Sequence, residues 1–502
     1  MASIKDMDKK GVVFVSQKKE KEEDETGDTV HDGRVDTSAE NGKKGGRPPA
    51  PEFSYIAGRV IRDRYTDKQS GEVTLRHWRN KWLRYTDKGW EHMFEGSLQK
   101  ELISYLENDT TYGPWATPFY VHGLIMHLSS FHRCGLDDSQ EMPFWINSKK
   151  PATNYIRFSN NIILNVEALA VKKNQLFKSS SPDFFSTDFV DYPYDKTATC
   201  PKFQKYLKRV LPDEESQELA RKMFGLMLID TCKYETFFYL FGRQARNGKT
   251  VMLEILSALV GKHNVSHIGL SNLGDRFALW PLGDCKVNIY GDTATDTGYG
   301  SLAHIEGVFK DLVSGGAFEY EKKGKDKHSA RCRARFVFAG NSLPTFVDRS
   351  DAIWERLRII RFGVQIPKED RDPDLSRKII SSELPGIFNW AVEGLSKIIS
   401  DGRIIGTSEG ESLKDEHRLN CDHEKQFFEE SHYKVGDMKD CVPSKELYED
   451  YCRWCISNNY KPAGKGKFKE RVLEMFSHAR YEKVKILNSS MWGFRGLVRV
   501  LE

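Results

Sequence analysis

Residues 235–250 have the sequence ETFFYLFGRQARNGKT, an apolar run followed by a glycine-bounded loop. The loop ends on Asn247, Gly248, Lys249 and Thr250, and the following VMLEILSALVG has the pattern of a helix. A loop of this kind between a strand and a helix amino terminus binds nucleotide phosphates. Backbone N–H groups, a lysine ammonium and a Mg²⁺-binding hydroxyl converge there. The stretch therefore predicts a nucleoside triphosphate site.

The spacing inside this loop departs from the strict phosphate-loop pattern GxxxxGK[ST]. Gly242 lies one residue too far from Gly248, so Arg243 stands where the first glycine is expected. The apolar run before the loop and the helical pattern after it supply the structural context that the pattern requires. The predicted nucleotide-binding residues are Gly242, Asn247, Gly248, Lys249 and Thr250.

Length and composition indicate an intracellular protein with several folded cores. A chain of 502 residues with 39% apolar content should divide into roughly three domains. The longest apolar runs, FGLMLI and FFYLF, are far shorter than the ~20 residues needed to cross a bilayer. The start of the chain, MASIKDMDKKGVVFV, lacks the apolar segment of a secretory signal. We expect no membrane association and a cytoplasmic location.

The cysteines and the net charge narrow the possible functions. The nine cysteines are scattered, which argues against a disulfide framework and fits a reducing compartment. Cys452 and Cys455 form a CxxC pair inside a helical pattern, where packing on a helix face is favoured over a metal or redox site. The net charge of +4 is too small to predict nucleic-acid binding, so local basic clusters must carry that prediction.

Shifts in composition divide the chain into four predicted segments. Residues 1–52 are a charged tail, because KKEKEEDETGD and GKKGGRPPAPE hold few large apolar groups. Residues 53–204 begin with aromatic-rich alternating strands and are predicted to form an α+β domain. In residues 205–405, apolar strands alternate with helices, as in an α/β nucleotide-binding sheet. Residues 406–502 are helical and end in a hairpin, which suggests a winged-helix-like, DNA-binding domain.

The aromatic segment HWRNKWLRYTDKGW leaves two interpretations open. Trp78, Trp82 and Trp90 alternate with arginines and lysines, as in a surface that stacks on single-stranded nucleic acid. The same tryptophans could instead form the core of a small sheet, which is the interpretation that we favour.

Two further strands end on polar residues that suit a nucleotide-hydrolysing site. KVNIYGD ends at Asp292, a carboxylate that could hold Mg²⁺, and ARFVFAGN ends at Asn341, an amide that could orient an attacking water. Either residue could equally be a turn residue at the end of its strand. With Lys249 they predict a catalytic set, in which Thr250 and Asp292 are the Mg²⁺ ligands.

Two arginines lie at the start of the last strand of this region. In DRSDAIWERLRIIRF, these are Arg356 and Arg358. An arginine that reaches the γ-phosphate of a neighbouring subunit stabilises the charge of the transition state. We predict this catalytic role for Arg356, and the alternative is an ordinary ion pair to Glu355 or Asp351.

A lysine-rich turn lies between Asp292 and Asn341. AFEYE and SARCRARF have the pattern of paired strands on either side of this turn, KKGKDK. A solvated turn is the simpler interpretation of such a segment, but its position beside the nucleotide strands favours contact with DNA phosphates. The predicted DNA-binding residues are Lys322, Lys323, Lys325 and Lys327.

Taken in order, these segments resemble the superfamily 3 helicases. GRQARNGKT, VNIYGDT, FKDLVSGG with the basic hairpin, FVFAGNSLP and DAIWERLRIIRF are similar to motifs A, B, B′ and C and the arginine finger of the D5-like, P4-type branch of phage and plasmid primase-helicases. IRFSNNIILNV, SSPDFFSTDFVDYPYD and CPKFQKYL resemble the D5 amino-terminal region of that branch. The resemblance runs from about residue 55 to the end of the chain.

The resemblance implies an AAA+-like P-loop ATPase core that binds ATP and Mg²⁺ between the subunits of a ring, usually a hexamer, and translocates on single-stranded DNA. It assigns the phosphate loop to residues 247–250, the motif B acid to Asp292, the motif C asparagine to Asn341, the finger to Arg356 and the channel lysines to residues 322–327. Forked DNA and a separate primase or other replication proteins are the implied partners.

The carboxyl-terminal segment has a basic face of its own. KPAGKGKFKERV is followed by Arg480, Lys483, Lys485, Arg495 and Arg499. On a winged helix, such a face fits duplex or origin DNA. A plain solvated surface is the alternative.

Two departures from the family pattern bear on hydrolysis. The loop has an extra residue and Ala245 where the family has glycine, and Gly291 precedes Asp292 where the family has a second acid. No primase region is expected, because residues 1–50 are too short and too polar to hold one. Three functions stay open: a replicative helicase of a mobile element, a non-motor DNA-binding protein that holds ATP as a structural ligand, and a P-loop ATPase that remodels proteins.

Overall fold

Short strands and helices alternate in the amino-terminal part of the chain. The computed structural model describes residues 49–131, 133–173, 177–291, 302–321, 327–344, 346, 351–458, 460–486 and 489–500. The elements of the first part are α1 (Phe53–Arg64), β1 (Leu75–Trp78), β2 (Lys81–Thr86), β3 (Gly89–Met93), α2 (Glu95–Glu107), α3 (Pro118–Ser130), β4 (Phe144–Trp145), β5 (Tyr155–Phe158), β6 (Ile162–Asn165), α4 (Val166–Ala170), β7 (Phe177–Ser179), β8 (Phe184–Phe185) and β9 (Phe189–Val190).

The antiparallel sheet of β1, β2 and β3 is built on buried tryptophans. Trp78, Trp82 and Trp90 are at most 5% exposed. The Trp90 ring meets Phe185 edge-on, with the ring centroids 5.3 Å apart. A buried ring cannot stack on a nucleic-acid base. The core interpretation of this segment is therefore confirmed, and the stacking interpretation is wrong.

A parallel sheet of five strands forms the centre of the chain. The elements of this part are α5 (Pro201–Val210), α6 (Glu214–Leu226), β10 (Phe237–Phe241), α7 (Lys249–Val260), β11 (Val265–Ser266), β12 (Val287–Tyr290), α8 (Leu302–Val313), β13 (Ala317–Tyr320), β14 (His328–Arg331), β15 (Arg335–Gly340), α9 (Asp351–Arg356), β16 (Leu357–Arg361) and α10 (Leu375–Asp401). The sheet order is β11-β12-β15-β10-β16, with every pairing parallel. All residues of β10 and β15 are buried, as expected for parallel strands that are covered on both faces.

Alternate side chains of β10 enter two different cores. Phe238 and Leu240 pack with residues of α6, α7 and α10, whereas Phe237 and Tyr239 pack with Phe309 of α8. The side-chain period of two along a strand places these two sets on opposite faces of the sheet. After β10 the chain runs to β11 at one edge of the sheet, whereas β16 lies on the other side of β10. The carboxyl end of β10 is therefore a switch point of the strand order. Ligands bind at such points in parallel sheets.

The hairpin predicted between the third and fourth strands of the sheet is present. β13 and β14 pair antiparallel, with Ala317 opposite Arg331 and Tyr320 opposite His328. Residues 322–326, at its tip, lie outside the described residues. The predicted mixed α/β fold with a parallel sheet agrees with the observed architecture.

Helices and a second antiparallel hairpin form the carboxyl-terminal part. Its elements are α11 (Ser408–Cys421), α12 (His423–Glu430), β17 (Tyr433–Val435), β18 (Cys441–Pro443), α13 (Ser444–Ser457), α14 (Lys465–Met475), β19 (Arg480–Ile486), β20 (Ser489–Arg495) and β21 (Leu497–Arg499). β20 pairs with β19 on one side and with β18 on the other. Cys455 is fully buried in the core of this part, and the described residues contain no cluster of metal-binding side chains. Cys452 packs against the same core, so both cysteines of the CxxC pair take part in helix packing.

Contacts group the chain from Ala50 onward into one unit. Within it, separate apolar cores lie in residues 56–134, 156–404 and 427–497. The predicted boundaries near residues 204 and 405 stay predictions, and most of the predicted tail, residues 1–48, lies outside the described residues. Among the described helices, none combines the length and the hydropathy needed to cross a membrane.

A buried group of charges ties the amino-terminal part to the parallel sheet. Arg333 contacts Asp188 at 3.2 Å and Asp230 at 3.5 Å, and Lys286 lies 3.7 and 3.8 Å from the same two carboxylates. Burial by itself would raise the pKa of the Asp188 carboxyl, but the charges of Arg333 and Lys286 outweigh burial and hold that pKa below its usual range. The charges therefore stabilise one another only as a complete set.

Removing one member of this set should destabilise the fold. We expect Asp188→Asn to lower the free energy of unfolding at pH 7 by about 3 kcal/mol, because two cations would lose a buried partner. The carboxylate stabilises the fold above the unfolded pKa of about 4, and this contribution is lost as the pH falls through the lower folded value. Urea unfolding at several pH values measures both effects.

The matched control for this change is Asp401→Asn. Asp401 pairs with Lys222 across the surface at 2.7 Å, where solvent screens the interaction. We expect little change in stability for the control. Equal losses for the two variants would contradict the role assigned to the buried charges.

Candidate functional site

Two glycines shape the loop between β10 and α7. At Gly242, a Cβ atom would lie 2.2 Å from Nδ2 of Asn247. Gly248 has a left-handed φ of 96° at the start of α7, and a Cβ there would also lie 2.7 Å from Val210. Glycine is thus required at both positions, whereas Arg243, where the strict pattern has its first glycine, is exposed. The structure accounts for the shifted spacing, because the close approach falls on Gly242.

The backbone of this loop offers open hydrogen-bond donors. Among the described residues, the N–H groups of residues 244–250 have no protein acceptor. The Asn247 side chain stiffens the loop from within, since its Nδ2 donates to the carbonyl oxygens of Gln244 at 2.8 Å and Phe362 at 3.2 Å. Open N–H groups at a helix amino terminus form a site for an anion such as phosphate.

Lys249 crosses the mouth of the loop. Its Nζ donates to the Gly242 carbonyl oxygen at 3.0 Å, to Oδ1 of Asn247 at 3.3 Å and to Oδ1 of Asn341 at 3.1 Å. The side chain is buried, and burial lowers the pKa of its ammonium group. All three acceptors are uncharged, and no carboxylate in the described part of the chain pairs with this lysine. Its charge is therefore available to a bound anion.

Asn341 directly follows β15, the strand beside β10. The hydroxyl of the buried Tyr239 donates to the Ser342 carbonyl oxygen at 2.6 Å, and a Cβ at Gly340 would lie 2.2 Å from that hydroxyl. Strand β10 thus fixes the turn that carries Asn341. The structure brings Asn341 and Lys249 together across 92 positions of sequence.

Of the two predicted Mg²⁺ ligands, the structure describes Thr250 but not Asp292. Thr250 is the second residue of α7 and is exposed beside Lys249. Asp292 lies outside the described residues, which stop at Gly291 after β12. The roles of Thr250 and Asp292 in metal binding stay predictions.

Sequence reasoning missed the contribution of α5 to this site. The Tyr206 hydroxyl donates to the Gly248 carbonyl oxygen at 2.7 Å, and Val210, one turn further along α5, packs on the same glycine. Phe203, Tyr206, Leu207 and Val210 are buried, and this helical spacing predicts an amphipathic helix. The spacing gives no indication of the loop against which the helix packs.

Arg356 lies at the opposite edge of the sheet from the loop. It ends α9 and precedes Leu357, which pairs with Phe237 at the start of β10. Five residues of strand separate this edge from the loop, a distance of about 16 Å. Its ion-pair partner is Glu235, so the predicted pairing with Glu355 or Asp351 is wrong. The arginine therefore cannot reach the phosphate loop of its own chain.

Arg358 has a structural role. Its Nε donates to the Ile404 carbonyl oxygen at 2.8 Å, and one Nη donates to the Glu355 carbonyl oxygen at 2.5 Å. Burial lowers the pKa of its guanidinium group. These contacts tie β16 to the segment that follows α10.

Of the predicted DNA-binding lysines, the described residues include only Lys327. It is exposed at the start of β14, 3.9 Å from the Glu319 carboxylate. Lys322, Lys323 and Lys325 lie outside the described residues. Their contact with DNA stays a prediction.

The structure divides the basic residues of the carboxyl-terminal part into two groups. Arg495 and Arg499 are engaged in ion pairs with glutamates. Arg480, Lys483 and Lys485 of β19 are exposed and make no ion pair within the described residues. Among the five basic residues from Arg480 to Arg499, the cations available to a polyanion therefore lie along β19. Lys461 and Lys467, ahead of this strand, are exposed as well.

An exposed aromatic pair lies on the same hairpin. Trp492 is 50% exposed and stacks on Tyr481, with ring centroids 5.1 Å apart and an interplanar angle of 9°. Lys483 lies directly opposite Trp492 in the strand register. Sequence reasoning missed this pair, because neighbours across two strands depend on the register.

Two regions of the chain match known families. Residues 240–358, which contain the phosphate loop and the hairpin of β13 and β14, match a family of unknown function, DUF5906. Residues 424–491 match the family described as Poxvirus D5 protein-like.

Relatives with similar sequences come from large viruses. "Putative helicase L207/L206" of Acanthamoeba polyphaga mimivirus is 21% identical over 342 residues, which cover 61% of this chain and 33% of that protein. "Putative helicase 121R" of Invertebrate iridescent virus 3 is 20% identical over 338 residues, which cover 60% of this chain and 35% of that protein. The chain is therefore similar to the helicase region of the D5-like primase-helicases. The resemblance predicted from the motifs is thereby confirmed.

The D5-like region accounts for only part of the proteins that it resembles. The matched residues span about a third of the length of these relatives. Among solved structures, the A form of the apo NrS-1 C terminal region has a TM-score of 0.47 and 10% sequence identity, and the match covers 84% of this chain and 95% of that chain.

Proposed function

We propose that this chain is an ATP-dependent DNA helicase of the superfamily 3 type, which acts in the replication of a virus or another mobile element. The observation that carries the proposal is the arrangement at the switch point. Lys249 meets Asn341 beside a helix amino terminus with open N–H groups, which is the arrangement that triphosphate hydrolysis requires. The viral relatives named as helicases support the same activity.

ATP and Mg²⁺ are the proposed ligands, and the described residues fit them. Open N–H groups, an unneutralised lysine and the exposed Thr250 surround one loop. Thr250 and Asp292 would hold Mg²⁺, which neutralises charge on the phosphates when bound. In this proposal Lys249 exchanges its three neutral acceptors for phosphate oxygens. Asn341 is then released to orient the attacking water.

The position of Arg356 supports a ring. This arginine lies about 16 Å from its own loop, so it can act only on the nucleotide of a neighbouring subunit. Head-to-tail contacts that repeat in this way form a ring when the rotation between subunits closes, and the resemblance to superfamily 3 helicases implies such closure. A hexameric AAA+-like ring that holds ATP at each subunit boundary is therefore the proposed assembly.

The carboxyl-terminal part is proposed to bind DNA as a winged helix. After α11 it has, in chain order, α12, β17, β18, α13, α14, β19, β20 and β21. The three helices α12, α13 and α14 thus precede the antiparallel hairpin of β19 and β20. Lys483 and Lys485 of that hairpin are free to contact phosphates, and Trp492 offers an exposed ring. Phosphate contact of this kind would position duplex or forked DNA without reading its sequence.

Turnover of ATP with and without single-stranded DNA tests the proposed function. A helicase is expected to hydrolyse ATP faster when single-stranded DNA is present. ATP binding without turnover would indicate instead a structural ligand. Turnover that DNA leaves unchanged would indicate a protein-remodelling ATPase.

The hairpin lysines give a second test. We expect the double change Lys323→Ala and Lys325→Ala to reduce DNA-stimulated turnover severalfold while basal turnover persists, because phosphate contacts are lost outside the nucleotide site. The stimulation should also depend less steeply on salt concentration. Steady-state ATPase assays over a salt series measure both effects.

The matched control changes Lys172 and Lys173 to alanine. These lysines are exposed on the amino-terminal part, and their loss removes the same charge. Equal reductions in both double variants would mean that overall charge, and not the hairpin, attracts the DNA.

A further inference from the structure

Three groups of its own subunit hold the Arg356 guanidinium. Its Nη2 donates to the Glu235 carboxylate and to the Ser314 hydroxyl, the latter at 3.1 Å, and its Nη1 donates to the Ala352 carbonyl oxygen at 2.7 Å. The Ser314 hydroxyl also donates to the same Glu235 oxygen at 3.1 Å. Both hydrogens of Nη2 are therefore engaged, whereas Nε is buried and has no hydrogen-bond partner among the described residues. A phosphate oxygen that binds Nη2 must displace one of these partners.

Ser314 lies at the first foot of the basic hairpin, the short segment between α8 and β13. Gly315 follows it with a left-handed φ of 76°. A Cβ at Gly315 would lie 2.1 Å from the Cys232 sulfur. The first foot thus packs on residues 230–236, the segment that leads into the phosphate-loop strand β10.

The second foot of the hairpin, residues 332–335, is anchored differently. Arg333 is bound in the buried charge group with Asp188 and Asp230, both of which are at least nine-tenths buried. The Cys332 carbonyl oxygen also accepts from the Cys232 sulfur at 3.6 Å. Both feet therefore lie on residues 230–236, but only the second is held by buried charges.

The contacts at the first foot are weaker because they are partly in water. The Glu235 side chain is 49% exposed and the Arg356 side chain is 20% exposed. A solvent-exposed ion pair is weak, and a triphosphate carries more negative charge than one carboxylate. Arg356 can thus be drawn to a phosphate while the second foot stays in place.

We propose that Glu235, Ser314 and Arg356 form a releasable latch between the subunit boundary and the basic hairpin. The inference rests on the proposed function, in which Arg356 acts on the nucleotide of a neighbouring subunit. When Arg356 turns to that nucleotide, it leaves Glu235 and Ser314, and the first foot of the hairpin is freed. The hairpin then pivots about Arg333, which stays fixed. Glu235 and Ser314 are positioning residues, since they act through Arg356.

Two substitutions test the latch. Glu235→Gln keeps the shape of the side chain but removes the charge that competes with phosphate. We expect it to lower the protein concentration for half-maximal ATP turnover two- to fivefold, the range expected for a partly exposed ion pair. Ser314→Ala breaks the contact between Arg356 and the hairpin foot. We expect it to reduce the ratio of DNA-stimulated to basal turnover at least about twofold, with basal turnover retained.

The matched control is Glu409→Gln, which removes the ion pair to Arg361 at the other end of β16. The control should shift neither the half-maximal concentration nor the stimulation ratio. Two results with an active wild-type protein would overturn the latch. One is a Glu235→Gln variant that behaves like the control, and the other is a Ser314→Ala variant that keeps the wild-type ratio of DNA-stimulated to basal turnover. A wild-type protein without ATP turnover would instead overturn the proposed function, and the latch with it.

Discussion

Lys249→Ala is expected to reduce ATP turnover by about 10²- to 10³-fold, the cost of removing one preorganised positive donor. The Nζ atom lies at the mouth of the phosphate loop, and its three acceptors are neutral oxygens of Gly242, Asn247 and Asn341. No other cation takes its place among the described contacts of the loop. The triphosphate would therefore lose the buried cation at the mouth of the loop. Steady-state ATPase assays at saturating ATP measure the loss.

The control for this variant is Lys262→Ala. Lys262 is exposed just beyond the other end of α7, so the substitution removes the same charge without touching the loop. The control should keep wild-type turnover. Both variants should unfold near the wild-type temperature, since Lys249 makes no ion pair within the described residues. Undiminished turnover in Lys249→Ala would show that the nucleotide site has been placed wrongly.

Arg356→Ala is expected to reduce turnover by about 10³-fold or more, as the loss of an arginine finger does elsewhere. Nucleotide binding should persist, because Arg356 lies at the amino edge of the sheet and the loop lies at the carboxyl edge. The separation of about 16 Å is too great for action on its own nucleotide. Turnover and nucleotide affinity are measured on the same preparation. Arg361→Ala, on the same strand, is the matched control.

Mixing Arg356→Ala with Lys249→Ala tests whether two subunits share one site. A boundary is complete when Lys249 comes from the first variant and Arg356 comes from the second. In an equal mixture, each side of a boundary has the required variant in about half of the cases, so about a quarter of the boundaries are complete. Turnover should then recover to about a quarter of the wild-type value if boundaries act independently. An inactive mixture of two well-folded variants would contradict the assembly that we propose.

Local patterns were sufficient to predict the elements that carry the site. FFYLF and FVFAG are continuous apolar runs, and both lie in fully buried parallel strands. VMLEILSALV becomes α7 because its apolar residues repeat with a helical period and a left-handed glycine precedes it. The hairpin around KKGKDK follows from alternation on either side of a turn. In each case, the pattern that predicts the element lies within one short segment.

The choice between alternatives required contacts between distant residues. Alternation in HWRNKW could not tell which face of the sheet is covered, and burial against Phe185 decided that the tryptophans form a core. The partner of Arg356 was expected within its own segment, but the fold brings Glu235 to it from 121 positions away. The packing of Tyr206 on Gly248 likewise joins α5 to the loop.

The sequence by itself determined the loop between β10 and α7, the two elements that flank it and the resemblance to the D5-like helicases, because short-range periodicity and ordered motifs encode them. Only the tertiary structure decided that Lys249 and Asn341 share one edge of the sheet while Arg356 lies at the other. The physical reason is that strand order and register are set by burial and hydrogen bonding across the whole sheet. No single segment carries that information.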